Sequence, residues 1–151
     1  MAAEPWGFIK DPIYGYIAIT DLEKNVIDTR VVQRLRRLRQ LAGAEFVYPG
    51  ANHTRFEHSL GAMHLAGLLG DKISGKPEEV QAFRLAGLLH DVGHGPFSHI
   101  FEHILSRCNR THEDITTWLI QKTELADVLK AGGLDPREMS LLAVGKLNSK
   151  D

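Results

Sequence analysis

The chain has a single cysteine, Cys108, in 151 residues, which excludes an internal disulfide and suits a reducing compartment. No apolar run approaches the roughly 20 residues that a helix needs to cross a bilayer, and the opening MAAEPWGF has neither the basic nor the apolar region of a secretory leader. A cytoplasmic location and no membrane partner are the expectations. An excess of one charge is also missing. With 18 lysines and arginines against 19 aspartates and glutamates, the formal net charge is −1, so no general field draws in a nucleic acid and none is expected as a partner. Internal repeats and low-complexity tracts are absent. A hydrophobic content of 43% with 25% charged residues is that of one compact domain.

Against these absences stands one dense segment, HDVGHGPFSH from His90 to His99, with three histidines and a carboxylate around two glycines and a proline. Imidazole nitrogen and carboxylate oxygen are ligands for a divalent metal, and imidazole also moves protons near neutral pH. Read with His58 in the upstream HTRFEHS, the segment suggests a divided metal site, with His58 from an earlier element and the adjacent His90 and Asp91 from a later one. Neighbouring residues on a regular helix point about 100° apart, so His90 and Asp91 reach one ion only where a helix ends, as Gly93 and Gly95 allow. A mixed nitrogen and oxygen set suits manganese, iron, zinc or nickel better than magnesium or calcium, which favour oxygen shells. Taken singly, each histidine also has a plainer reading. His94 and His99 could brace the glycine-rich turn, His112 and Glu113 could be the polar first turn of a helix, and His53, His64 and His103 read as surface or structural residues.

Turn signals divide the rest of the chain into short helical pieces, so the expected fold is mainly α. Alternation through Tyr14, Tyr16, Ile17 and Ile19 predicts a small N-terminal strand or hairpin. Val31, Val32, Leu35, Leu38 and Leu41 predict an amphipathic helix capped by Thr29. Its solvated face takes Arg34, Arg37 and Arg39 rather than a nucleic acid. After Pro49-Gly50, the residues Phe56, Leu60, Met63 and Leu68 predict a second helix that carries His58. Val80, Phe83, Ala86 and Leu89 predict a third, ending near Gly93 and Gly95. Thr111 and Asp114 cap a fourth, with Ile115, Trp118 and Leu119 inward, and Gly132-Gly133 with Asp135-Pro136 separate two short C-terminal helices.

Five segments in order, DPIYGYI (Asp11 to Ile17), IDTRVVQRLRRLRQL (Ile27 to Leu41), YPGANHTRFEHSLG (Tyr48 to Gly61), AGLLHDVGHGPFSH (Ala86 to His99) and THED (Thr111 to Asp114), resemble the deoxynucleoside triphosphate triphosphohydrolase branch of the HD phosphohydrolase superfamily. That branch includes the animal SAM-and-HD-domain enzyme and bacterial and archaeal relatives. The resemblance implies an HD-domain helical bundle that hydrolyses a deoxynucleoside triphosphate to the deoxynucleoside and inorganic triphosphate, by attack of water at the α-phosphorus. By the same resemblance His58, His90 and Asp91 bind the metal, magnesium accompanies the substrate phosphates, and Arg55 meets the α-phosphate. His94 and His112 line the phosphates. His99 is the general acid, oriented by Glu102, where the family usually has aspartate. Gln40 and Leu41 match positions that meet the sugar 3′-hydroxyl and the base, and Asp28, Gln33 and Arg36 match contacts to a regulatory guanine nucleotide. A homo-oligomer, dimer or tetramer, is implied for the full-length protein.

The family's second metal-binding aspartate, in a segment resembling DxDxxDY, has no counterpart here. Residues 1–151 are therefore expected to be the N-terminal part of one HD phosphohydrolase domain, truncated before that ligand, and weak in metal binding and turnover when tested alone. Two other functions remain open: a different HD nucleotidase or phosphodiesterase, and a non-catalytic nucleotide-binding or oligomerising fragment.

Overall fold

The carboxylate of Asp11 accepts the backbone N–H groups of Ile13 and Tyr14 at 2.8 and 2.9 Å, and this turns the chain back on itself. Gly15 completes the turn at φ +75°, a left-handed conformation in which a side chain would be strained. In the computed structural model, which describes residues 5–147, the turn joins β1 (Gly7–Asp11) to an antiparallel β2 (Gly15–Ile19), with Gly7 opposite Ile19. Ile17 and Ile19 point from this hairpin into the core.

Eight α-helices follow among the described residues: α1 (Asp21–Ile27), α2 (Arg30–Gln33), α3 (Arg55–Ile73), α4 (Pro77–Leu89), α5 (Ser98–Arg107), α6 (His112–Lys122), α7 (Glu124–Ala131) and α8 (Pro136–Ala143). The fold is therefore mainly α with a short hairpin. Three helices begin with the same device. Thr20, Thr54 and Thr111 each accept the backbone N–H three residues on, and Glu23, Glu57 and Asp114 return the bond to the cap residue's own N–H. Each box satisfies two donors that a helix start leaves without partners. Thr54→Ala should therefore lower stability by about 1 kcal/mol, read as a shift of the urea midpoint with unchanged slope. A midpoint equal to the parent's would show that the box at α3 contributes nothing.

The centre of the molecule is the packing of α3 along α4, with Met63, Leu85, Leu88 and Leu89 fully buried and Leu35, Ile120, Leu125 and Leu129 added from the flanking elements. A β-carbon on Gly87 would lie 2.8 Å from the carbonyl oxygen of Ala62, so a side chain there would force α3 and α4 apart. Glu23, fully buried, accepts hydrogen bonds from Thr20, Gln81 and Arg84. It ties the first helix to α4 through a satisfied ion pair.

Several elements differ from the periodicity. The expected helix over 29–41 is α-helical only from Arg30 to Gln33 and then tightens into a 3₁₀ segment, Arg34–Arg37. Leu38 is already extended, and Leu41 is 47% exposed. Arg39 pairs with Thr54 in an isolated β-bridge, and that tertiary contact ends the helix. Arg34 is not on a solvated face: it is half-buried, and its guanidinium donates to the carbonyl of Val92 at 2.6 Å. In α6 Leu119 packs against the core as expected and Ile115 is half-buried, but the fully buried residues are Thr116 and Ile120, and Trp118 is 58% exposed. Leu68 is also on the surface. Helices α1 and α5 are not among the elements that the periodicity predicts. The first was readable from the T-x-x-E box at Thr20. The second begins within the histidine-rich segment itself, at Ser98, and buries none of its described side chains completely.

Candidate active site

His58, in the first turn of α3, meets His90 just past the end of α4, with Nε2 to Nε2 at 3.2 Å. The Nδ1 of His90 lies 2.7 Å from the carbonyl oxygen of Gly87, one turn back on α4. A proton on that nitrogen leaves Nε2 with a free lone pair, as a ligating imidazole requires. Asp91, 7% exposed, places one carboxylate oxygen 3.3 Å from His90 Nε2 and the other 3.7 Å from His58 Nε2. Ligand atoms that share an ion at about 2.0–2.2 Å stand about 3 Å apart at right angles, so this trio fits a divalent metal. It is the one group of metal-ligating residues brought within such range among the described residues.

Asp91 is also the electrostatic hub. Arg55, buried at the start of α3, holds its Oδ2 at 2.5 Å, and His94 Nε2 stands 3.4 Å from Oδ1. Burial alone would raise the carboxyl's pKa. The hydrogen bond from His94 and the charges of His90 and Arg55 outweigh it and hold Asp91 well below the usual carboxylate range, as an anion. Burial acts in the opposite sense on His58, whose pKa is lowered, with His90 and Arg55 adding to the effect and Asp91 opposing it. A neutral His58 is the form that can donate a lone pair.

A cavity of about 550 Å³ opens beside the trio, lined by Gln40, Leu41, Ala42, Ala44, Arg55, His58, Asp91, His94, Glu102 and His112. Residues from the stretch between the 3₁₀ segment and α3 and from the later helices thus share one space. The rings of His94 and His112 stack at 4.1 Å with a 15° tilt. The carboxylate of Glu102 lies 3.1 Å from Nδ1 of His112, so among the described residues its partner is His112. His99 lies in α5, and its side chain is outside the described set. Gln40 places its side-chain oxygen in a buried position with no hydrogen-bond partner among the described residues.

Asp28, Gln33 and Arg36 lie outside this cavity. Gln33 accepts from Arg36 Nε at 2.8 Å and donates to the carbonyl of Ile27 at 2.9 Å. Asp28 pairs with Lys24 at 3.1 Å. Sequence reasoning had missed Ala42 and Ala44 in the wall, and Arg34 and Thr116 behind it. No feature of the RLRRLR run distinguishes Arg34 from Arg37, and a lone threonine inside a helix carries no signal of its own.

Residues 55–143, from the arginine beside Asp91 to the end of α8, match the HD domain. The chain belongs to the HD-domain family. It is 44% identical over 146 residues to the bovine deoxynucleoside triphosphate triphosphohydrolase SAMHD1, a match over 86% of this chain and 25% of that protein. A SAMHD1 homolog of Dictyostelium discoideum is 42% identical over 127 residues, 74% of this chain and 25% of its own. Among solved structures, a hypothetical protein from Aquifex aeolicus superposes with a TM-score of 0.83 at 39% identity, over 94% of this chain and 38% of the other. This HD domain therefore spans about a quarter of the length of the curated relatives it matches. Among its described residues no helix is long and apolar enough to cross a membrane.

Proposed function

We propose that this HD domain carries the catalytic residues of a metal-dependent phosphohydrolase that converts a deoxynucleoside triphosphate to the deoxynucleoside and inorganic triphosphate. The observation that supports the reading best is the continuity of one cavity from His58 and Asp91 of the metal-ligating cluster to Gln40 and Leu41. Its volume lies in the range of small-molecule sites, and the unpartnered oxygen of Gln40 suits a hydroxyl donor such as the sugar 3′-OH. The names of the SAMHD1 relatives agree with it.

His58, His90 and Asp91 would hold a divalent ion, which would supply charge neutralisation at phosphate and a lowered pKa for water. The remaining chemistry belongs to the chain. Arg55 presents a fixed cation to the α-phosphate, where negative charge grows during transfer. His94 and His112 line the phosphate path, stacked so that each limits the other's orientation. Water forms a bond to the α-phosphorus as the bond to the 5′ oxygen breaks, and His99 delivers the proton that this oxygen takes up. Glu102 keeps one nitrogen of His112 engaged and fixes which of its faces meets the substrate. Asp28, Gln33 and Arg36 are proposed as contacts for a regulatory guanine nucleotide in a homo-oligomer. Their position outside the cavity is compatible with a separate binding event.

The test is product analysis with manganese and each deoxynucleoside triphosphate, on the full-length protein. Intact triphosphate is expected, and His99→Ala is expected to lower kcat by roughly 10²- to 10⁴-fold with metal content unchanged. Release of pyrophosphate or orthophosphate instead would assign the domain to another class of phosphohydrolase. Loss of metal from His99→Ala at near-normal turnover would overturn the role given to this residue.

A further inference from the structure

The end of α4 is secured from outside the helix. A helix leaves its last carbonyls without partners in its own ladder, and α4 ends at Leu89, one residue before the two ligands that must point to one place. The carbonyls of Leu89 and Asp91 are taken up locally, by the N–H groups of Val92 and His94 at 3.2 and 3.1 Å. Two others are held by side chains from distant elements. Arg34, in the 3₁₀ segment, donates to Val92 O at 2.6 Å. Thr116, on α6 and fully buried, sets its hydroxyl 3.5 Å from His90 O and accepts the N–H of Gly93 at 3.0 Å. Neither side chain belongs to the ligand trio.

We propose that Arg34 and Thr116 are positioning residues that clamp the His90–Asp91 turn from two different elements and hold both ligands in the geometry that takes the metal, an inference that rests on the metal-dependent reading above. Their placement is otherwise hard to account for. Arg34 is a half-buried cation beside the guanidinium of Arg55, and burial and that neighbouring charge both lower its pKa; what it gains in that position is the Val92 carbonyl. Thr116 brings its hydroxyl to bear only because position 93 is glycine, since a β-carbon there would lie 2.4 Å from that oxygen. Partners behind metal ligands usually act through orientation, and their loss typically costs 10- to 100-fold in metal affinity.

The experiment compares Thr116→Val, which keeps the shape and removes the hydroxyl, with Thr116→Ser, which restores it, and with Arg34→Met in the 3₁₀ segment. Cobalt(II) is titrated into the full chain and followed by its visible absorption, and the ring ¹⁵N shifts of His90 are recorded without metal. Thr116→Val and Arg34→Met are expected to weaken cobalt binding by 10- to 100-fold and to change the His90 ring shifts, while Thr116→Ser keeps both close to the parent. Parent-like affinity and shifts in Thr116→Val and Arg34→Met would overturn the clamp. If the parent itself takes up no cobalt, the metal reading fails, and the metal-free His90 shifts still decide for or against the clamp. If Thr116→Val fails to fold, Arg34→Met at its half-buried position answers the same question.

Discussion

Asp91→Ala is expected to cost about 3–5 kcal/mol of folding stability, the usual consequence of removing one partner of a buried ion pair, and to abolish uptake of divalent metal. The carboxylate sits 2.5 Å from the buried guanidinium of Arg55 and within 3.7 Å of His58, His90 and His94, so one truncation takes away the anion that all four face. Asp91→Asn keeps the shape and loses the charge, so it should be less destabilised yet equally unable to hold the ion. The pH dependence has a definite sign. The native carboxyl titrates below its unfolded counterpart, so the folded state binds fewer protons. The stability it contributes is complete above the unfolded value of about 4 and declines as the pH falls further. Urea denaturation at neutral and acid pH, with manganese calorimetry, measures all of this. An Asp91→Ala protein as stable as its parent, or one that still binds manganese, would remove Asp91 from the centre of the site.

Gly93→Ala should be the most damaging of the glycine-to-alanine changes. Its β-carbon would lie 2.1 Å from the carbonyl oxygen of His112 and 2.5 Å from the backbone nitrogen of Thr116. Both are main-chain atoms of α6 that no rotamer change can move. The expected cost is at or beyond the upper end of the roughly 1–3 kcal/mol of ordinary overpacking. For a chain of this size that is a fall in Tm of at least about 6 °C. The same displacement should part the rings of His94 and His112, which carries the effect from stability into the wall of the cavity. A variant that melts with the parent would mean that α6 does not approach the turn this closely.

The parts of this molecule that could be read from its sequence are those governed by short range. Thr111 with Asp114 marks the start of α6, Gly132-Gly133 and Asp135-Pro136 separate α7 from α8, and the alternation through Ile17 and Ile19 gives the hairpin. The mainly α class follows from these. The stretch from Val31 to Leu41 was misread because its leucine spacing fits a helix throughout, whereas the bridge between Arg39 and Thr54 is a contact that no local pattern contains. The site divides in the same way. The His90–Asp91 pair in HDVGHGPFSH, read with His58, points to the group that could hold a metal. That Glu102 faces His112, that Arg34 turns inward, and that Ala42 and Ala44 complete a wall are decided by how α5, α6 and the 3₁₀ segment pack. Helical periodicity ranks residues by face; it does not say which polar side chain on a partly buried face will find a carbonyl.

The unequal burial of the cavity's two sides has a consequence for turnover. His58 stands on α3, and His90 and Asp91 follow directly on the well-buried end of α4, while α5, with Glu102 and His99, buries no described side chain completely. Segments with so few enclosed apolar contacts separate from a native structure at a fraction of the global unfolding free energy. On the proposed chemistry, the inorganic triphosphate can depart by the yielding of α5 alone. The expensive part of the machine, three converging ligands and a buried arginine, then stays assembled from one catalytic cycle to the next.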